Sequence, residues 1–198
     1  MPDWSFAVTQ PFQTWTVLPH GKLAQIEDNI LTVVGEIRMP LMDLPRRMTV
    51  VRLRDSLLVI FSAIALDETE MAVLDSYGTP AYLIVPSDKH RLDAKIWKDR
   101  YPSIKGVAPS GARARVEEIV PVDTTAPEFD DPDVQFVTVP GTQGREAAMV
   151  VRTANGTTLV LNDVVSNIRD ASGFGGWLLE IAGFAGKEAQ IPRVVKMA

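Results

Sequence analysis

The sequence predicts a mixed α/β (α+β) fold in which two packed sheets are flanked by helices, formed as a single domain over residues 1–198. Three observations carry this. Strand-like segments cluster early, then alternate with helical patterns, then return as strands. The run Ala81 to Val85 is wholly apolar, as in a strand buried on both faces. The composition is globular, with 46% hydrophobic and 23% charged residues in 198.

Taken in order, Phe12 to Leu18 is β-rich and partly alternating, and reads as a first strand. Leu31 to Val34, Met48 to Leu53 and Leu57 to Phe61 are further strands, the last two joined by the turn Arg54-Asp55-Ser56. Asp67 opens a helix, with Glu70 at capping-box spacing, Met71, Leu74 and Tyr77 as its apolar stripe, and Gly78 as its stop. The apolar strand follows and ends at Pro86-Ser87-Asp88. A second helix spans Leu92 to Tyr101, with Ile96 and Trp97 inward and Pro102 as its stop. Lys105 to Ala108 is a strand, and Pro109-Ser110-Gly111 turns into a short basic helix holding Arg113 and Arg115. Thr124 to Pro132 is polar and acidic, a surface loop. Val134 to Val139, Ala147 to Val151 and Thr158 to Leu161 are strands, with Asn155-Gly156 as a hairpin signal. Trp177 to Ile181 is helical, among glycines.

Composition excludes several functions. The net charge of −5 disfavours nucleic acid, whose binding rests on Lys and Arg meeting phosphates. No apolar stretch approaches the roughly 20 residues of a membrane span. There is no cysteine, so disulfides, thiol catalysis and Cys-ligated metals are absent, and a cytoplasmic location is expected. The start of the chain carries no basic, apolar leader pattern. Only two histidines exist, His20 and His90, which leaves little for zinc binding or general-base work. Gly173-Phe174-Gly175-Gly176 lacks the following Lys-Ser/Thr of a phosphate loop. No Gly-x-Ser-x-Gly motif is present, and no serine neighbours a histidine in sequence, so a serine hydrolase has no support.

Three segments, in order, resemble the metallo-β-lactamase-fold superfamily. They are Ala81 to Val85 running into Pro86–Asp93, then Val139-Pro140-Gly141-Thr142-Gln143, then Leu159-Val160-Leu161-Asn162-Asp163. In that superfamily these places carry a His-x-His-x-Asp-His ligand motif, a Gly-His-Thr ligand turn and a strand ending in Gly-Asp. The chain is similar in particular to a divergent branch of uncharacterised members. The marks are Met48-Thr-Val-Val-Arg-Leu53 and the run Val85-Pro86, His90, Trp97, Pro102. The likeness covers roughly residues 12 to 168. It implies an αββα sandwich of two mixed sheets flanked by helices, with the superfamily's last strand missing after Val195.

The departures lie at the implied metal ligands. With His90 as the second histidine of the first motif, Asp88 replaces the first histidine, Leu92 the aspartate and Asp93 the last histidine. In the alternative register, Ser87, Lys89, Arg91 and Leu92 fill those places. Thr142 replaces the histidine of the second motif, and Asp163 alone keeps the implied identity. Structural zinc takes four ligands and catalytic zinc three plus a water, so a working binuclear zinc hydrolase is not expected.

Each candidate has a plainer role. His90 orients the strand–helix turn, or is a ligand or general base. Asp163 caps a following helix, or is a metal ligand. Asp93 caps the second helix or pairs with Arg91 or Lys95. Thr142 is a turn residue. Lys89 and Arg91 are solvated, or else stand in for the missing metals and hold an anion beside Asp88, Asp93 and Thr142, with Arg113 or Arg115 helping. Two functions follow. The first is a non-catalytic protein that binds a small molecule or protein partner, with no cofactor. The second is a hydrolase using His90 and Asp163 with one divalent metal or none. Apolar Ile191, Val194 and Val195 favour a homodimer.

Overall fold

The computed structural model describes residues 10–38 and 43–162. Two sheets pack face to face. The first has six strands in sequence order: β1 (Ala24–Glu27), β2 (Ile30–Arg38), β3 (Asp43–Arg52), β4 (Leu57–Phe61), β5 (Thr79–Ile84) and β6 (Lys105–Val107). β1 to β4 are antiparallel, and β4, β5 and β6 are parallel. The parallel pairs need crossovers, which α1 (Glu68–Tyr77) and α2 (Ala94–Arg100) supply. The short α3 (Arg113–Glu117) follows β6. The second sheet is antiparallel in its described strands, β7 (Val134–Thr138), β8 (Ala147–Thr153) and β9 (Gly156–Val160).

Around β4 the six-stranded sheet is buried on both faces, and the period-2 geometry of a strand sorts its residues. Leu58 and Ile60 of β4 join Met48 and Val50 of β3 and Leu83 of β5 under the helices, with Met71, Leu74, Ile96, Trp97 and Val116. Val59 and Phe61 face the other way, with Val51, Ile84 and Val107, against Val134, Met149 and Val151 of the second sheet. Double burial is why these strands read as continuous apolar runs. Each such side chain contributes about 1.5–3 kcal/mol.

Several expectations need correction. Phe12 to Leu18 forms no strand. Its Phe12 N–H donates to Leu92 O at 2.9 Å, and Trp15 Nε1 donates to Leu66 O at 2.9 Å, so the segment is laid across the helical layer. The first strand is instead Ala24–Glu27, which is nearly all exposed and therefore shows no pattern. β3 begins five residues before Met48, through polar Arg46 and Arg47. In α1, Asp67 caps as expected, accepting from Glu70 N at 2.9 Å. The reciprocal half of the box is missing. Glu70 accepts from Leu23 N at 2.7 Å, and Asp67 N donates to His20 Nε2 at 3.0 Å. The β8–β9 hairpin forms, but Ala154 and Asn155 make the turn, and Gly156 sits at the closing position with φ 144°. In the loop 124–132 Ala126, Glu128, Asp130 and Pro132 are exposed, yet Asp131 is buried and accepts from Arg54 N at 3.1 Å, which fixes the β3–β4 turn.

Gly106 in β6 has a steric reason. A Cβ there would lie 2.0 Å from the carbonyl oxygen of Pro121, because the 121–124 segment closes over the strand's outer edge. Asp123 Oδ2 accepts from Gly106 N at 2.7 Å, and Asp123 N donates to Gly106 O at 2.9 Å. Residues 163–198 lie outside the description, including the expected helix at Trp177 to Ile181 and the apolar Ile191, Val194 and Val195. No helix among the described residues is long and apolar enough to cross a membrane.

Candidate functional site

The first and third of the segments singled out in the sequence meet at one end of the sandwich, and the strand that follows the second joins them there. β5 runs out through Val85, whose N–H donates to Val107 O at 2.8 Å, into the loop 86–93. The strand after the second segment joins it where Ala147 N, at the start of β8, donates to Pro86 O at 2.9 Å. The third arrives through Asn162, just past β9, whose Nδ2 lies 3.2 Å from His90 Nδ1. Asp163 lies outside the described residues.

His90 is positioned from its own loop, where its N–H donates to Ser87 O at 3.3 Å, and Lys89 N donates to the buried Ser87 Oγ at 3.3 Å. Its Nδ1 also meets Ser62 Oγ at 3.1 Å. Ser62 follows the last residue of β4, is 6% exposed, and has a φ of 57°. A non-glycine residue in this left-handed region holds a strained backbone, which persists where surrounding contacts fix it. Here Ser62 N donates to Ile84 O at 3.0 Å, and the hydroxyl reaches the imidazole. Ser62 carries no sequence motif and lies 28 residues from His90.

Asp93 takes neither of the partners expected of it. It occupies the N-cap position of α2 without a capping bond, and does not pair with Arg91 or Lys95. Its Oδ1 accepts from Ala65 N at 2.9 Å, and its Oδ2 pairs with Arg46 Nη1. Both side chains are buried, at 1% and 9% exposure. Burial pushes the Asp93 carboxyl above the usual carboxylate range, opposed by the Arg46 charge and by the bonds from Ala65 and Arg46. Arg46 shares its β3 face with Met48 and Val50, which gives a sequence clue: a charge at an inward position needs a buried partner.

The loop 62–66 is thus clamped by loop 86–93 at two points, Ser62 to His90 and Ala65 to Asp93. Thr142 lies in the β7–β8 turn, where its Oγ1 donates to Val139 O at 2.7 Å and accepts from Glu146 N at 3.3 Å. Gln143 has φ 55°, and Gly144 accepts from Gly111 N at 2.8 Å, which docks this turn on the start of the α3 loop.

The three arginines are engaged elsewhere. Arg91 Nη1 donates to Arg115 O at 2.6 Å and Glu118 Oε2 at 3.1 Å. Arg115 meets Glu118 Oε1 at 3.1 Å, and the hydrogen bond from Arg91 leads in holding the Glu118 carboxyl below its ordinary value. Arg113 pairs with Glu117 at 2.8 Å. Lys89 is exposed and Asp88 half-buried. Among the described residues, no three His, Cys, Asp or Glu side chains are grouped to hold a metal ion.

No protein-family model and no curated protein matches the sequence. Solved structures do match. The DIM-1 metallo-β-lactamase exposed to ceftazidime has a TM-score of 0.60 at 13% identity, covering 91% of this chain and 95% of that one. TMB-1 gives 0.57 at 11% identity, over 91% and 95%. A metallo-β-lactamase from Hirschia baltica gives 0.56 at 9% identity, over 89% and 94%. The described sandwich and these matches agree with the fold inferred from the three sequence segments: this chain has the metallo-β-lactamase fold.

Proposed function

We propose that this chain is a metal-independent protein on a metallo-β-lactamase fold, which binds a small molecule or protein partner and does not run two-metal hydrolysis. The Asp93–Arg46 pair carries this reading. Asp93 stands in a ligand position of the first motif, and both its oxygens are committed, one to a guanidinium and one to a backbone N–H. A cation at Asp93 would have to displace a buried charge partner, which leaves the Arg46 charge uncompensated. Thr142 spends its hydroxyl on its own turn, and His90 Nδ1 on Ser62 and Asn162. Two-metal hydrolysis needs histidines and carboxylates free to surround two ions and the water between them. The described residues do not fit that centre.

Elemental analysis after incubation with Zn, Mn or Mg tests the reading. The expected result is metal well below one per chain, unchanged in His90→Ala. About one metal per chain, lost in His90→Ala, would overturn it.

A second reading rests on Ser62. A serine hydroxyl within reach of a histidine nitrogen, on a strained strand end, has the arrangement of a base-activated nucleophile, so a metal-free hydrolase using His90 is the alternative. A fluorophosphonate probe separates the two. The binding protein is expected to leave Ser62 unlabelled, whereas labelling that disappears in His90→Ala would establish the hydrolase.

A further inference from the structure

We propose that Asn155 is a site of spontaneous deamidation, and that its product breaks a tie between the two sheets. Of the chain's four asparagines, Asn29, Asn155, Asn162 and Asn167, only Asn155 precedes a glycine. Both Asn155 and Gly156 are exposed, Gly156 has no side chain, and a Cβ there would meet nothing within 4 Å, so the turn is open on that side.

The chemistry needs only water. The backbone nitrogen of Gly156 attacks Asn155 Cγ and forms a new C–N bond. The bond from Cγ to Nδ2 breaks, and Nδ2 leaves as ammonia with the proton given up by Gly156. Water then adds to either carbonyl of the resulting succinimide and reopens it as aspartate or isoaspartate.

The position gives the step a consequence. Asn155 Nδ2 donates to Glu27 Oε2 at 3.0 Å, and Thr153 Oγ1 donates to the same oxygen at 3.3 Å. Glu27 ends β1 in the first sheet, while Thr153 ends β8 and Asn155 lies in the β8–β9 turn of the second. Deamidation removes the donor and sets a second carboxylate against Glu27. A hydrogen bond becomes a like-charge contact, and a link between the sheets becomes a repulsion.

The test follows the full-length chain as it ages in mildly alkaline buffer, by peptide mapping with mass spectrometry and enzymatic isoaspartate detection. Asn155 is expected to convert ahead of the other three asparagines. Asn155→Asp, as a mimic of the product, is expected to speed amide hydrogen exchange in β8 and β9, with the loss of protection reversed by adding Glu27→Gln. Asn155 remaining amidated while another asparagine converts would overturn the site. Unchanged exchange in Asn155→Asp, or no rescue by Glu27→Gln, would overturn the consequence.

Discussion

Arg46→Met is expected to cost about 3–5 kcal/mol of stability, the range for breaking a buried pair by removing one partner. The change leaves Asp93, 1% exposed, as a charge without its counter-ion. The loss should depend on pH, and its sign follows from Asp93. The carboxyl of Asp93 titrates above its ordinary value in the folded protein, chiefly through burial. Such a group adds stability below its unfolded pKa and loses it as pH rises through the folded one. Arg46 opposes that upward shift, so removing it enlarges the shift. Arg46→Met should therefore be mild in acid, where Asp93 is neutral, and should worsen as pH rises through the folded pKa of Asp93. Urea unfolding of both proteins at acidic and neutral pH reads this directly, and a pH-independent difference would count against the pairing. The double variant Arg46→Met/Asp93→Leu should recover much of the loss, because no buried charge remains. Arg46 Nε and Nη2 are already buried with no acceptor among the described residues, so part of the guanidinium's desolvation is uncompensated in the native protein.

Trp97→Ala should cost a similar amount, about 3–5 kcal/mol, as a large-to-small change in a packed core. Trp97 is fully buried in α2 and lies between two rings, Trp15 at 5.6 Å and Tyr101 at 5.7 Å. It holds the N-terminal segment onto the helical layer, where Arg100 also stacks over Trp15 at 4.6 Å. Its Nε1 makes no hydrogen bond among the described residues, so the loss is one of packing. Trp97→Phe keeps a ring and discards that unpaired N–H, and should lose clearly less than Ala. Equal losses for Phe and Ala, measured by urea unfolding, would sink the packing account.

The parts of this molecule legible in sequence are those with local causes. Asp67 at the head of α1, Gly78 at its end and the apolar β4 and β5 signal themselves through neighbours in the chain. The meeting of Pro86–Asp93 with the end of β9 was legible through the family likeness. Edge strand β1 was not, because a strand with little buried surface needs no alternation. The partners of the candidate site residues were also hidden. Arg46 lies 47 residues from Asp93, and Ser62 lies 28 from His90, so each pairing depends on the sheet being built first. By spacing along the helix Asp93 would pair with Arg91 or Lys95, but its carboxylate instead meets Arg46, which a neighbouring strand brings to it.

The distance along the chain between contacts also orders their formation. Thr32 and the Met48 carbonyl, joined across the β2–β3 pair, are 16 residues apart, whereas Glu27 and Asn155 are 128 apart. That is three doublings of loop length, an added closure cost of about 2 kcal/mol. The meander under the helices can therefore assemble while the chain beyond it is still open. The β7–β9 sheet must wait for a preformed surface on which to dock, and until then Val59, Phe61 and Ile84 stand uncovered. Folding should pass through a stage with one sheet built and its second face bare, the stage at which this protein is most exposed to self-association.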